Sequence, residues 1–230
     1  TLERSASSFN SVTNLTAVGA ISLRTDNVLT VSGALASTTG AVTLMSNSTQ
    51  TVSSTGSVTA AGNVTMTTTA QNISIAGAVT STAGTVFVKG NTGLTVASTG
   101  IVTTTGASKD ITLQAAEGGN TNTLSVQGAI SATGNAFVQS WGHLDNSGLG
   151  TVTATGTVTL ESGKNQSTTA TNYRTMNLGA AITAGGTITG TAYGTLTLTG
   201  AMTSAGSIAL SSGLYYVNTT TFNGQAMNIN

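Results

Sequence analysis

Cysteine and proline are absent from the 230 residues, and charge is nearly so. Zero cysteines exclude disulfide staples, thiolate metal sites and a cysteine nucleophile. Without proline the turns must be made by other residues, and 29 glycines are available. Six basic and six acidic residues make up 5% of the chain and cancel to a formal net charge of zero. An ordinary soluble domain carries about 25% charged residues. Such a balance supplies no long-range field to attract nucleic acid or an anionic membrane, and no basic run with interleaved aromatics occurs. Nor is there a run of about 18 apolar residues that could span a bilayer as a helix. The opening TLERSASSFN lacks the basic-then-apolar pattern of a signal peptide. A start without Met is what a mature segment, or a fragment of something longer, would show.

What remains is rich in Thr, Val, Gly and Ser. Thr and Val favour pleated strands because a branched Cβ is stiff at χ1. A disordered chain of low hydrophobicity shows the reverse, many charges and few β-branched residues. The composition therefore predicts an all-β protein.

Comparing the chain with itself exposes a repeat, the mark of a solenoid when the period is about 20–50 residues. Glycine introduces a short strand again and again: GAISL (19–23), GAVTL (40–44), GNVTM (62–66), GTVFV (84–88), GNAFV (134–138), GTVTL (156–160), GTITG (186–190) and GSIAL (206–210), with DITL (110–113) in the same series. The first inward residues are Ile21, Val42, Val64, Val86, Ile111, Ala136, Val158, Ile188 and Ile208, spaced by 21, 22, 22, 25, 25, 22, 30 and 20. This is strand a. A second series, LTVSGAL (29–35), ISIAGAV (73–79), LSVQGAI (124–130), MNLGAAI (176–182) and LTLTGAM (196–202), reads as strand b, a glycine bend and strand c. TVSSTGSV (51–58) and LTVASTGIV (94–102) take a longer step to the glycine.

Within each strand apolar residues alternate with Thr, Ser or Asn, which directs one face inward and the other outward. One coil cannot bury its apolar residues alone, so stacked coils must share aliphatic ladders; Ile73 is expected over Val52 and under Leu94. The other two strands of a coil serve as the crossover between parallel partners, for which right-handedness is the rule. The predicted fold is an all-β, right-handed parallel β-helix of about nine coils of about 22 residues, three short strands per coil. It forms one repeat domain over residues 1–230, with 1–18 and 211–230 as terminal or incomplete coils. Coil six, after Val138, fits the repeat poorly. Low charge suits this design, because a like charge repeated at one rung would sit about 5 Å from itself. The amides before strand b, Asn27, Gln50, Gln71, Asn91 and Asn122, are expected either to stack as a row or to serve simple turn chemistry.

The unit G-x-[VI]-T-[LM]…[LI]-[ST]-[VI]-x-G-x-[VI]-T resembles the shaft repeats of filamentous-haemagglutinin-like exoproteins of two-partner secretion, and related repeats of autotransporter passengers. The likeness runs from about Gly19 to Leu210. It implies secretion to the bacterial cell surface, a β-helical shaft, and roles in adhesion, biofilm or cell contact. The resemblance suggests host or neighbouring-cell glycan or protein as partners; separately, residues 1–18 and the last 20 show no charged cap, so a second copy or a continuing solenoid is expected at the coil ends.

Titratable groups are too scattered to predict catalysis. The acids are Glu3, Asp26, Asp110, Glu117, Asp145 and Glu161, and no strand carries an acidic pair. One histidine without cysteine disfavours a transition-metal site, and no cofactor is expected. The connections from strand a to strand b in coils five to seven are different: QAAEGGNTNT, QSWGHLDNSG and ESGKNQSTTATNYRT. Stacking would gather Glu117, Trp141, His143, Asp145, Lys164, Tyr173 and Arg174 along one edge, with the only Trp and the only His. Loops on a rigid scaffold are where binding usually sits, and Trp or Tyr beside polar groups suits sugar or protein contact. The alternative is that one corner of a solenoid tolerates polar, solvated insertions.

Three functions are therefore weighed. The first is a non-enzymatic extracellular shaft of an adhesin or surface filament, with head-to-tail assembly. The second is a carbohydrate-binding or carbohydrate-active β-helix with its site on coils five to seven. The third is an ice-binding solenoid, suggested by a T-x-T row after strand c (Thr80/Thr82, Thr103/Thr105, Ser131/Thr133) but broken by Ala36, Gly185 and Ala205.

Overall fold

Alternating Val/Thr pairs, punctuated by glycine, leave the backbone little choice but short strands that pair with the next repeat. The computed structural model shows this, and describes residues 2–5, 10–115, 122–163, 174–213 and 227–229. Among the described residues there is no helix. The a strands form one ten-stranded parallel sheet from Leu2–Ser5 to Ile208–Ser212. The b and c strands make up a second set of seventeen, because Ser11–Ala17 and Leu29–Ser37 each run through the bend from b into c. Each b strand pairs with b strands of adjacent coils and each c strand with c strands, always in parallel. About eight complete turns run from Ile21 to Ser204, a rise of about 40 Å at about 4.8 Å per turn.

The interior consists of in-register ladders. On the a sheet, Ile21, Val42, Val64, Val86, Ile111, Ala136, Val158 and Ile188 succeed one another, all buried. On the b side Val31, Val52, Ile75, Val96 and Val126 do the same. Such continuity fixes the register, since a slip of one residue would turn every inward side chain to solvent.

Two expectations about register need correction. Ile73 pairs with Gln50 and Leu94, while Val52 pairs with Ile75. Gln50 occupies an inward position and is 1% exposed. Its Nε2 donates to Leu44 O at 3.2 Å and Thr67 O at 2.6 Å, which is how a polar residue stands in an aliphatic ladder. Coil six, in turn, is regular: its strands are Ala136–Ser140, His143–Asn146 and Val152–Ala154. Its second inward b position holds Asn146, where other coils hold an aliphatic residue, and that polar side chain obscures the repeat.

The amides do not all act alike: one contact links two of them between adjacent coils, and others serve local turns. Asn122 Nδ2 donates to Asn91 O at 3.1 Å, Asn27 N donates to Thr25 Oγ1 at 3.1 Å, and Gln71 O accepts from Thr68 Oγ1. Side-chain ladders run elsewhere. Asn47 Nδ2 donates to Asp26 Oδ1 (2.6 Å), and Thr69 Oγ1 donates to Asn47 Oδ1 (2.9 Å). Gln114 Nε2 donates to Gln139 Oε1 (2.9 Å), and Gln139 Nε2 donates to Glu161 Oε2 (2.7 Å). Three of the few acids thus meet amide groups on the adjacent rung, Asp110 doing so by accepting Asn135 N at 2.7 Å.

Glycine at the b–c bend is a steric necessity. A Cβ on Gly77 would lie 2.0 Å from Gly56 O and 2.3 Å from Ser53 O, both backbone atoms of the preceding coil. The c–a turn is held by buried hydroxyls. Ser81 Oγ accepts Gly84 N (2.9 Å) and donates to Gly62 O (2.7 Å).

Candidate functional site

The corner between the a and b strands of coils six and seven carries the residues singled out from the sequence. Strand Ala136–Ser140 ends at a sharp corner, where Trp141 N donates to Ala115 O at 2.9 Å. Gly142 follows because the chain passes over coil five there; a Cβ would meet Asn122 O at 1.9 Å. His143 and Asp145, expected in a loop, are outward positions of the b strand His143–Asn146. They alternate with the inward residues Leu144 and Asn146 and stand about 6.6 Å apart along the strand.

His143 pairs in register with Thr123 of coil five. On the other side its Nδ1 accepts Thr175 N at 3.1 Å and lies 2.9 Å from Thr175 Oγ1. A backbone N–H can only donate, so Nδ1 carries no proton and the neutral ring is protonated at Nε2. Burial lowers the His143 pKa, and the nearby Arg174 charge lowers it further. Asp145 stands between Ser125 and Asn177 in the outward ladder, and its Oδ1 accepts Ser147 N at 3.1 Å.

Arg174 precedes the b strand Met176–Leu178 of coil seven and is only 3% exposed. Its Nη1 donates to Trp141 O at 3.0 Å. Burial lowers its pKa, yet a guanidinium stays charged across the physiological range. Two glycines make room for it. Gly163 has φ +81, a left-handed conformation, and a Cβ there would meet Arg174 Cβ at 2.9 Å and Cγ at 3.0 Å. A Cβ on Gly194 would meet Arg174 O at 2.4 Å.

The structure therefore brings Trp141, His143, Asp145 and Arg174 to one corner over two coils. Glu117, Lys164 and Tyr173 lie outside the described residues. Sequence reasoning missed Thr175, which fixes the His143 tautomer, and Asn146, which closes the next bend. It also missed the ladder of Gln114, Gln139 and Glu161, which could have been found from their identical place in ITLQ, AFVQ and VTLE.

Chemically the corner offers a half-buried indole, an imidazole N–H and a carboxylate. His143 Nδ1 is committed to Thr175, so Asp145 does not orient it as a general base. Among the described residues no cluster of three or more His, Cys, Asp or Glu side chains could hold a metal ion. No helix there is long and apolar enough to cross a membrane. The first column of the threonine row runs in register through Thr59, Thr80, Thr103, Ser131, Thr153, Thr183 and Thr203, with Ala36 in the same column. No protein-family model, no curated protein and no solved structure matches the chain.

Proposed function

We propose that this chain is the shaft of a cell-surface adhesin or surface filament, an extracellular rod that performs no catalysis. The observation that supports it is the unbroken sheet of a strands from Leu2–Ser5 to Ile208–Ser212, with each described rung in register with the next. A rod of stacked rungs spreads its stability over nearest-neighbour interfaces, which suits extension away from a surface. The resemblance of the repeat to filamentous-haemagglutinin-like and autotransporter-passenger shafts points the same way. In this role the chain extends a contact region towards host or neighbouring-cell glycan or protein, and copies stack end to end into a fibre. Displaying the chain on a bacterium stripped of its own adhesins tests this. Binding to cells or to a biofilm should rise several-fold over a display control. An unchanged level would overturn it.

A second reading, ligand contact at the coil-six corner, is favoured by the convergence of Trp141, His143 and Asp145 there. Trp141→Ala should then reduce adhesion of the displaying cells without altering the fold. Undiminished adhesion would remove the corner from the account.

A further inference from the structure

The outer face of the a sheet carries an aromatic feature that neither the core nor the corner uses. Its first outward column reads Ser22, Thr43, Thr65, Phe87, Thr112, Phe137, Thr159 and Thr189. Between Ser22 and Thr189 hydroxylated residues fill every place but two; the column ends at Glu3 on one side and Ala209 on the other. Phe87 and Phe137 are half-buried, two rungs apart, with Thr112 between them. Two rungs put the rings about 9.6 Å apart along the rod axis. Nothing in the fold requires an aromatic there, since the rungs on either side hold the same backbone with Thr.

The second outward column, two residues further along each strand, runs Lys89, Gln114, Gln139, Glu161. Gln114 and Gln139 are joined to each other and to Glu161 in one hydrogen-bonded ladder. An amide has two donor hydrogens and a carbonyl with two lone pairs, and each of these glutamines spends only one N–H on the ladder. The bonds hold both amides in place beside the rings while leaving donors and acceptors to face a ligand. Lys89 and Glu161 flank the two glutamines, one cation and one anion, so the stretch beside the rings is neutral; the column runs on through Thr67 and Met45 to Arg24 on one side and through Thr191 to Ser211 on the other.

We propose that this face binds a neutral, extended polysaccharide lying along the rod axis. The rings at Phe87 and Phe137 would stack on the apolar faces of non-adjacent sugars. The amides of Gln114 and Gln139 would hydrogen-bond to hydroxyls of the chain between them. Aromatic faces supply apolar area with little ordering cost, and prepositioned amides avoid the entropy of ordering at binding. An acidic polysaccharide fits less well, because the column offers a carboxylate as well as an ammonium. A bare apolar protein surface would leave the amides without partners.

The site is distinct from the coil-six corner, so the two can be separated. The test is affinity electrophoresis of the whole chain in gels containing hydroxyethylcellulose, xyloglucan or polygalacturonate. The expected result is retardation by at least one of the two neutral polymers. Phe87→Thr/Phe137→Thr, which installs the residue that neighbouring rungs carry, should weaken it more than tenfold, with circular dichroism and melting temperature unchanged. Gln114→Ala/Gln139→Ala should weaken it less, and Ser74→Ala, an outward residue of a b strand on another face, should leave it as it is. Retardation by polygalacturonate alone, by none of the three, or undiminished in the phenylalanine double variant would overturn the proposal. Loss in Trp141→Ala alone would assign binding to the corner and also overturn it.

Discussion

Coils three and six build the same rung in different ways. In coil three, Ile73 and Ile75 point inward, Ser74 points outward, and the step from Ile75 to Val79 across the bend at Gly77 is four residues. In coil six the inward pair is Leu144 and Asn146, the outward pair is His143 and Asp145, and the step from Asn146 to Val152 is six residues. The longer step also occurs in coils two and four, where a backbone bond spans it: Gly56 N to Ser53 O (2.9 Å) and Gly100 N to Ala97 O (2.7 Å). Coil six uses a side chain instead. Asn146 is 2% exposed, and with its amide turned so that the nitrogen faces the two carbonyls around it, Nδ2 donates to Gly150 O at 2.7 Å and Val126 O at 2.9 Å. A polar group is thus admitted to the interior where it closes the backbone around a wider bend.

Substitutions can sharpen this contrast, and the bend glycines should show the largest effect. A Cβ at Gly77 meets two backbone oxygens at 2.0 and 2.3 Å, whereas at Gly150 the nearest atoms lie at 2.5, 2.7 and 2.8 Å. Gly77→Ala should therefore cost about 3 kcal/mol or more, and Gly150→Ala about 1–3 kcal/mol. Chemical denaturation of the two variants measures the difference. Equal costs would mean that the tight and wide bends are packed alike.

The two inward amides come next. Asn146→Leu leaves the carbonyls of Gly150 and Val126 without their donor and should cost about 1–3 kcal/mol. Gln50 differs, because its Oε1 is buried without a hydrogen-bond partner. Gln50→Leu takes a donor from Leu44 O and Thr67 O but restores the aliphatic ladder between Leu29 and Ile73 and removes that orphaned oxygen, so it should cost less than Asn146→Leu, about 1 kcal/mol or below. If the two leucine variants melt together, the closing role of Asn146 is wrong.

These amides also explain what could be read without coordinates. The period, the three strands and the inward columns were legible because Ile, Val and Leu recur at fixed offsets from glycine. Alignment by apolar residues slipped at Gln50, pairing Ile73 with Val52, because the true partner is polar. It faltered in coil six for the same reason, at Asn146. His143 and Asp145 were identified as members of an edge but assigned to a loop, since a strand with outward His and Asp lacks the usual threonine signature. Arg174 was grouped with the contact residues of the edge; its burial goes with Gly163 and Gly194 lying beside it, a relation between coils that no single repeat displays. Glu117, Lys164 and Tyr173 fall outside the described residues, so their part in the edge has no structural account.

The smallest expected effect is on pH. His143 is held neutral, its pKa lowered first by burial and then by Arg174. The unfolded chain, with an ordinary histidine pKa of about 6.5, then binds more protons than the folded one at mildly acidic pH. Stability should be constant above about pH 7 and decline as pH falls below about 6.5, as the Thr175 N–H to Nδ1 bond is lost. A melting curve series should show this decline in the native chain and a shallower one in His143→Gln. Identical profiles would show that the histidine does not contribute.

The in-register parallel stack itself is best tested by cross-linking, which the absence of cysteine makes clean. Thr51 and Ser74 are outward partners on adjacent rungs, and Thr95 is the next in the column. Neighbouring rungs about 4.8 Å apart fall within the Cα separation of about 4.4–6.8 Å that a disulfide needs, and two rungs do not. Thr51→Cys/Ser74→Cys should oxidise to an intramolecular disulfide in the folded chain, while Thr51→Cys/Thr95→Cys should stay reduced. Bridging of the second pair, or failure of the first, would contradict the solenoid on which every other conclusion rests.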